Sequence, residues 1–480
     1  MDIRVWRRPK DRVIRKPRRE QLRPTVVQAV PIRRPHRIFS SPFILFFGFV
    51  LLIFAGGFLL SLPVASKEGV YTPLEQSFFT TISAVTVTGH SVVNTATYWS
   101  LFGQIVIFFL LLIGGLSFMT LATFILDFLR QRSSLSEQLV LRESMGVDRM
   151  AGLRQTTRNI VVVACLIYLT GAAAIFWRIH GLDDMSFSES VWQSIFLSVS
   201  AFNNAGFSIL PEDPSGSGLA RLADQELLLF ILMGLIALGG IGWSVLGDLY
   251  RHRSFTRLSL DTKLVVIASI FLWVTGLLVL FLAEFGNDQT LGNLSIVGRL
   301  VNSLFHSVSG RTAGLQTIDF GQASDLTKLT YPVFMFIGGG AGSVAGGIKV
   351  NTFAVIMAAV ISSMRGRQQA EAFGREIPYG QLMRALAVGM LSMPLIIIVI
   401  SVLTITEPNL ASLDLLFETV SAFGTVGFSA GITSDLSLVG KIAFMITMFV
   451  GRLGPLTLAL ALAPQRQPIY HFVEEPVSIG

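Results

Sequence analysis

Residues 413–427 read LDLLFETVSAFGTVG, and residues 72–89 read TPLEQSFFTTISAVTVTG. Each is a semi-apolar stretch that runs into a short glycine motif. Crossing a hydrocarbon core takes about 20 apolar residues, and a stretch of about 10–14 reads instead as a re-entrant segment. Two further motifs complete a set: Thr86-Val87-Thr88-Gly89, Asn203-Asn204-Ala205-Gly206, Arg311-Thr312-Ala313-Gly314 and Gly424-Thr425-Val426-Gly427, with glycines 117, 108 and 113 residues apart. One such motif would be an ordinary turn. Four at a near-constant period, each between one long apolar run and the next, make a repeat. Three motifs have a serine six residues before the glycine (Ser83, Ser200, Ser421), whereas the third has Val308 there, flanked by Ser307 and Ser309.

Working outward, apolar runs occupy 38–66, 99–126, 159–177, 227–247, 264–283 and 385–406. Two more are broken by one cation each, 329–364 at Lys349 and 442–465 at Arg452. Each is long enough to cross a bilayer. The fold class expected is an all-α polytopic membrane protein with eight transmembrane helices, built as four span–re-entrant helix–span repeats around one central pore. The chain then divides into a basic cytoplasmic tail (1–41), a first pore repeat (42–127), a cytoplasmic loop with the second repeat (128–250), a third repeat with a glycine-rich intramembrane loop (251–364), a fourth repeat (365–465) and a C-terminal tail (466–480).

Composition agrees. Of the 480 residues, 52% are hydrophobic and 14% charged, with mean hydropathy +0.64; a soluble domain carries about 25% charged. An ordinary soluble enzyme and a disordered chain are both excluded. The single cysteine, Cys165, lies in an apolar run, so neither an intrachain disulfide nor a cysteine zinc cluster is available. There is no HExxH, no paired-histidine metal spacing and no GxSxG elbow, so the chain does not read as an enzyme. His180 and His306 stand alone and read as structural.

Charge sets the orientation. With the N-terminus inside, 28 of the 37 Lys and Arg fall on cytoplasmic segments and 7 on outer loops, a strong positive-inside bias. Both termini are therefore expected in the cytoplasm, in a multi-pass protein of the plasma (inner) membrane. The acidic residues run the other way, and the outer face would concentrate cations at an entrance. The basic first 41 residues read as a tail touching anionic lipid, not as a signal peptide or a nucleic-acid arm.

Irregular backbone at membrane depth survives only when buried in protein or lining a water-filled cavity. Four such loops around one axis present rings of carbonyl oxygens, which can replace the hydration shell of K⁺. Glycine allows the positive φ that turns consecutive carbonyls the same way. The candidate ion-binding residues are Val87, Thr88 and Gly89; Asn204, Ala205 and Gly206; Thr312, Ala313 and Gly314; and Thr425, Val426 and Gly427.

The broken runs hold the remaining candidates. Six glycines (Gly338, Gly339, Gly340, Gly342, Gly346 and Gly347) within ten residues, followed by Lys349, cannot sustain a regular helix at about 1 kcal/mol each relative to alanine. The stretch is either a close-packing face of small residues or a flexible intramembrane loop. The GxGxxA string from Gly340 to Ala345 has no βαβ context and carries no nucleotide reading. Arg452 lies near mid-span with apolar flanks on both sides, which favours a pore-facing cation over one snorkelling to the surface.

The motifs TVTG, NNAG, RTAG and GTVG together resemble the Ktr/Trk/HKT superfamily of K⁺ transporters, over residues 40–465. Eight spans without an extra leading pair resemble the Ktr-type membrane subunit. That resemblance implies K⁺ uptake across the plasma membrane through one pore per chain. It also implies a homodimer working with a cytosolic RCK-type nucleotide-binding ring (KtrA-like), and no covalently bound cofactor. All four filter glycines imply K⁺ over Na⁺, with Na⁺ as a candidate coupling or activating ion. The glycine stretch takes the place of the family's gating loop, and Arg452 that of an arginine below the filter. His90 after Gly89 and Leu315 after Gly314 depart from the family pattern. The 128–158 loop, with Glu137, Arg142, Glu143 and Arg149, reads as an amphipathic helix where a regulatory subunit could dock. The alternative function is a Na⁺-translocating or poorly selective monovalent cation transporter.

Overall fold

In an apolar medium a backbone must satisfy its own hydrogen bonds, and a run of Leu, Ile, Val and Phe does so by winding into helix. The computed structural model describes residues 41–116, 153–180, 185–210 and 219–454. The basic tail, residues 128–152 of the candidate docking loop, Pro455 and the C-terminal tail lie outside them. In chain order the helices are α1 (Ser41–Ser61), α2 (Leu74–Thr86), α3 (Thr95–Tyr98), α4 (Leu101–Gly115), α5 (Leu153–Ile179), α6 (Phe187–Phe202), α7 (Glu226–Ile241) and α8 (Trp243–Arg251). They continue as α9 (Leu260–Glu284), α10 (Ile296–Ser309), α11 (Asp325–Phe336), α12 (Val350–Met364), α13 (Tyr379–Thr406), α14 (Ser412–Gly424) and α15 (Leu438–Leu453). A two-residue hairpin pairs Glu371 with Glu376 and Ala372 with Arg375 between α12 and α13.

Serine starts many of these helices. Ser100, Ser259, Ser295, Ser324 and Ser437 each accept a backbone N–H from the first turn of their helix, and Ser186 forms a full capping box with Glu189. Such a cap satisfies one of the four otherwise free N–H groups and is worth about 1 kcal/mol.

Among the described residues three helical segments, Thr157–Ile179, Leu260–Glu284 and Tyr379–Thr406, are each long and apolar enough to cross a membrane, with α7 and α8 as a fourth if that bent pair is one span. Their outward faces carry exposed apolar side chains such as Leu169, Leu282 and Ile397, the surface a lipid medium requires. Two runs expected as single spans are broken. The 227–247 run bends by 99° between α7 and α8, because Gly242 adopts φ +102, a conformation closed to most side chains. The 329–364 run stops at Phe336 and resumes at Val350.

Packing follows one rule. The short helices α2, α6, α10 and α14 each pack on the long helix before them and on the helix after them: α4, α7, α15 and, through Tyr331 Oη donating to His306 O at 2.6 Å, α11. The following helix also packs on the next short helix: α4 on α6, α7 on α10, α11 on α14 and α15 back on α2. The succession therefore closes on itself. Fully buried phenylalanines (Phe79, Phe196, Phe305 and Phe417) anchor the four short helices in the core.

Candidate ion-conduction site

Each short helix ends where its glycine motif begins, and the four loops share one backbone. Val87, Asn204, Thr312 and Thr425 have φ of +56, +55, +82 and +51, and Gly89, Gly206, Gly314 and Gly427 have φ of +96, +73, +71 and +91. The residue between them (Thr88, Ala205, Ala313 or Val426) has no positive φ. Left-handed backbone is natural for glycine but costs other residues about 1–2 kcal/mol. Three of the four are β-branched, so their surroundings must hold them there.

The holding bonds are backbone and serine. In every repeat the intermediate residue donates its N–H to a serine carbonyl: Thr88 to Ser83, Ala205 to Ser200, Val426 to Ser421 and Ala313 to Ser309. The serine of the third repeat is therefore Ser309, with its loop one residue shorter, and Val308 is no exception to the pattern. Ser83 and Ser421 Oγ accept the N–H of Gly89 and Gly427 at 3.1 and 3.2 Å. Ser200 and Ser309 Oγ instead donate to the carbonyls of Phe207 and Leu315, both at 2.6 Å. Leu315 is buried and so takes part through its backbone.

The four glycines meet. A methyl group built on Gly89 would lie 2.7 Å from the Ala205 oxygen and 2.8 Å from Gly206 Cα. Built on Gly206, it would lie 3.3 Å from the Ala313 oxygen, 3.1 Å from Gly89 Cα and 3.3 Å from Gly314 Cα. On Gly314 it would strike the Val426 oxygen and lie 3.1 Å from the Cα atoms of Gly206 and Gly427, and on Gly427 it would strike the Thr88 oxygen and lie 3.1 Å from Gly89 Cα. Each intermediate carbonyl thus lies against the glycine of the preceding repeat, all the way round. At three of the four a methyl would clash outright with backbone, and the positive φ of all four strains any side chain placed there.

A cavity of about 370 Å³ opens on this ring, lined by all four glycines together with His90 and Asp319. His90 is buried, 5.9 Å from the Phe444 ring and with Nδ1 3.5 Å from Thr433 Oγ1. The rim after the fourth motif is organised by Glu418, which sequence reading missed. Its carboxylate accepts Ser429 Oγ (2.6 Å), Thr433 Oγ1 (2.6 Å) and the N–H groups of Ala430 and Ile432 (both 3.1 Å). The isolated histidines pack structurally: His306 Nε2 accepts the Thr317 N–H at 3.1 Å, and His180 stacks on Phe176.

Residues 337–349 carry no helix and are held at both ends. Gly338 N–H donates to Ile348 O at 2.8 Å, and Ile348 N–H to Phe336 O. The stretch is also packed so closely that side chains are excluded: a methyl on Gly338 would meet Gly346 O and Thr312, and one on Gly346 would meet Thr425. The stretch is thus non-helical and closely packed at once. Three cationic side chains donate to its carbonyls. Arg311 reaches Ile337 O and Gly338 O, Lys349 reaches Ala345 O, and Arg452 reaches Val344 O while its other terminal nitrogen donates to Gly114 O of α4.

Arg311 and the glycines Gly114, Gly239 and Gly451 were also missed. A methyl on these three would strike the carbonyls of Val85, Phe202 and Phe423, each four residues before a ring glycine. The readable signal was a glycine at one register in the following helices, doubled at Gly114-Gly115 and Gly239-Gly240.

A closed succession of apolar helices around a ring of buried loops is the build of an integral membrane transporter. The chain belongs to the TrkH family of cation transport proteins, whose model matches residues 49–469. It is 37% identical to Ktr system potassium uptake protein B of Bacillus subtilis over 92% of this chain and 97% of that protein. It is 35% identical to potassium/sodium uptake protein NtpJ of Enterococcus hirae, over 90% and 96%. The fold matches the crystal structure of the potassium transporter TrkH from Vibrio parahaemolyticus with TM-score 0.69 and 17% identity, covering 90% of this chain and 86% of that one.

Proposed function

We propose that this chain is the ion-conducting subunit of a Ktr/Trk-type K⁺ uptake system in the plasma membrane. The observation that carries the reading is the ring itself: four glycines in mutual contact, each facing a carbonyl of the next repeat. Alternation between left-handed and other backbone at three successive residues turns carbonyl oxygens to one side, so Val87 to Gly89, Asn204 to Gly206, Thr312 to Gly314 and Thr425 to Gly427 form the filter. Carbonyl dipoles there substitute for the water that K⁺ sheds. In this reading the chain crosses the membrane eight times as four repeats around the pore, with both termini cytoplasmic. It works as a homodimer with a cytosolic nucleotide-binding ring. The Ktr-system name of the Bacillus relative supports a multi-component system.

The glycine stretch and its cations form the gate in this proposal. Lys349 and Arg452 hold carbonyls behind the filter, and their charge opposes a passing K⁺: at about 4 Å and an effective dielectric of about 20 the repulsion is roughly 4 kcal/mol before screening. A second reading, transport of Na⁺ beside K⁺, is favoured by the potassium/sodium name of the NtpJ relative. Uptake of ⁸⁶Rb⁺ into proteoliposomes, measured with and without Na⁺ on either side, tests both. Rb⁺ uptake that Na⁺ does not compete with supports the K⁺ reading. Equal competition supports the second, and no uptake defeats both.

A further inference from the structure

Three residues before each ring glycine stand Thr86, Asn203, Arg311 and Gly424. Only the third is charged. Arg311 is 5% exposed, and burying a cation is costly unless its donors are satisfied. Its donors go to Ile337 O, at 3.4 Å, and to Gly338 O, the first carbonyls of the glycine stretch.

The next residue, Thr312, is one of the strained left-handed positions, and it is supported from two sides. Asn204 Nδ2 donates to its hydroxyl at 3.3 Å, tying the second repeat to the third. Its methyl carbon faces Gly338, where an added methyl would come within 3.1 Å. The other end of the stretch does the same for the fourth repeat: Gly346 lies against Thr425, and a methyl on Gly347 would sit 3.2 Å from Gly424 Cα. Both threonines that the stretch touches are left-handed, and a strained residue keeps its conformation only while its neighbours hold it.

We infer that Arg311 is a positioning residue that couples the glycine stretch to the ring, so that displacement of the stretch alters which monovalent cation the ring prefers. The inference rests on the filter-and-gate reading above. Arg452 and Lys349 hold the stretch from outside the ring motifs. Arg311 belongs to a motif, and transmits the stretch's position to Thr312 through one intervening peptide bond.

The test uses the full chain in proteoliposomes, reading ⁸⁶Rb⁺ uptake against Na⁺ competition. The variants are Arg311→Gln, Arg311→Lys, removal of residues 340–346, and that removal combined with Arg311→Gln. Arg311→Gln is expected to weaken discrimination against Na⁺ about tenfold, the ratio that goes with one charge-assisted hydrogen bond. Arg311→Lys, which keeps the charge and loses the fork, is expected to fall between. Removal of 340–346 is expected to shift discrimination in the parent and to add clearly less once Arg311→Gln is present, since only the loss of Gly346 beside Thr425 is then left to act, the non-additivity of two changes that share a linkage. A merely structural arginine gives additive effects. Additivity, or unchanged competition in a monodisperse Arg311→Gln protein, overturns the coupling. If Arg311→Gln aggregates, Arg311→Lys decides: unchanged competition overturns it, and weakened competition supports it. Should Gly89→Ser and the removal also leave uptake and competition untouched, the filter-and-gate reading falls too. If those two act while the Arg311 variants do not, only the coupling falls.

Discussion

Lys441 Nζ donates to Glu75 Oε1 at 3.1 Å, joining α15 to the first turn of α2 across 366 residues of sequence. The same bond recurs one step round, where Lys328 of α11 lies 2.8 Å from Asp414 in the first turn of α14. Lys328 and Lys441 each stand 14 residues after a ring glycine. Between the first and second repeats Gln104 does the equivalent, accepting the Trp192 indole N–H at 2.9 Å. Three of the four repeats thus reach forward to hold the next short helix, and the last of them reaches the first.

That closing pair is partly buried, with side-chain exposures of 12% and 33%, so it is worth about 1 kcal/mol or less. Lys441→Ala and Glu75→Ala are each expected to lower the thermal midpoint of the detergent-solubilised protein slightly. The double variant is expected to be no less stable than the worse single one, a coupling readable by tryptophan fluorescence. Strictly additive losses would show that the pair stabilises nothing.

At the ring, Gly89→Ser forces a side chain into contact with Ala205 O at 2.7 Å, at a φ of +96. The backbone alone opposes this by about 1–2 kcal/mol, and K⁺ uptake is expected to fall roughly tenfold while Na⁺ permeation rises relative to it. Competition between the two ions in ⁸⁶Rb⁺ uptake measures this. An unchanged ratio counts against a filter at Gly89.

Arg452→Ala removes the bonds to Val344 and Gly114, each worth about 1.5–3 kcal/mol as a hydrogen bond to a charged donor. It also removes the positive charge. K⁺ flux is expected to rise at least about tenfold, most visibly without the cytosolic partner, since loss of even one such bond tips a two-state gate that far. Normal expression with unaltered flux would reject the barrier.

Removal of residues 340–346 takes away the Arg452 and Lys349 acceptors on the stretch together. Uptake is expected to become high and to ignore the proposed cytosolic ring and its nucleotide. Low uptake that still responds to nucleotide would locate the gate elsewhere.

The glycines were legible because each does what no other residue can: positive φ with a neighbour's carbonyl in van der Waals contact. The stretch at 338–347 was legible from its glycine density alone. The left-handed conformations of Val87, Thr312 and Thr425 were not, because β-branched side chains disfavour them and only the assembled neighbours impose them. Nor was the turn at Gly242, since apolar residues continue across it and one glycine does not reveal its φ. Ser309 was misaligned because a one-residue shortening is invisible until backbone bonds are traced. The partners of Arg452 are carbonyls 108 and 338 residues away, and a carbonyl carries no sequence identity.

The buried guanidinium of Arg311 has a consequence for how such a ring can be assembled at all. Four identical chains around an axis would each carry it three residues before a ring glycine, so four buried cations would surround one ring. Each would need buried acceptors of its own, and like charges away from water repel. A ring made by duplication within one polypeptide is under no symmetry, so one wall can bear a cation while the others bear a hydroxyl, an amide and a hydrogen atom. A single chain that carries all four loops can thus build one asymmetric contact into a ring of glycines that is otherwise nearly fourfold.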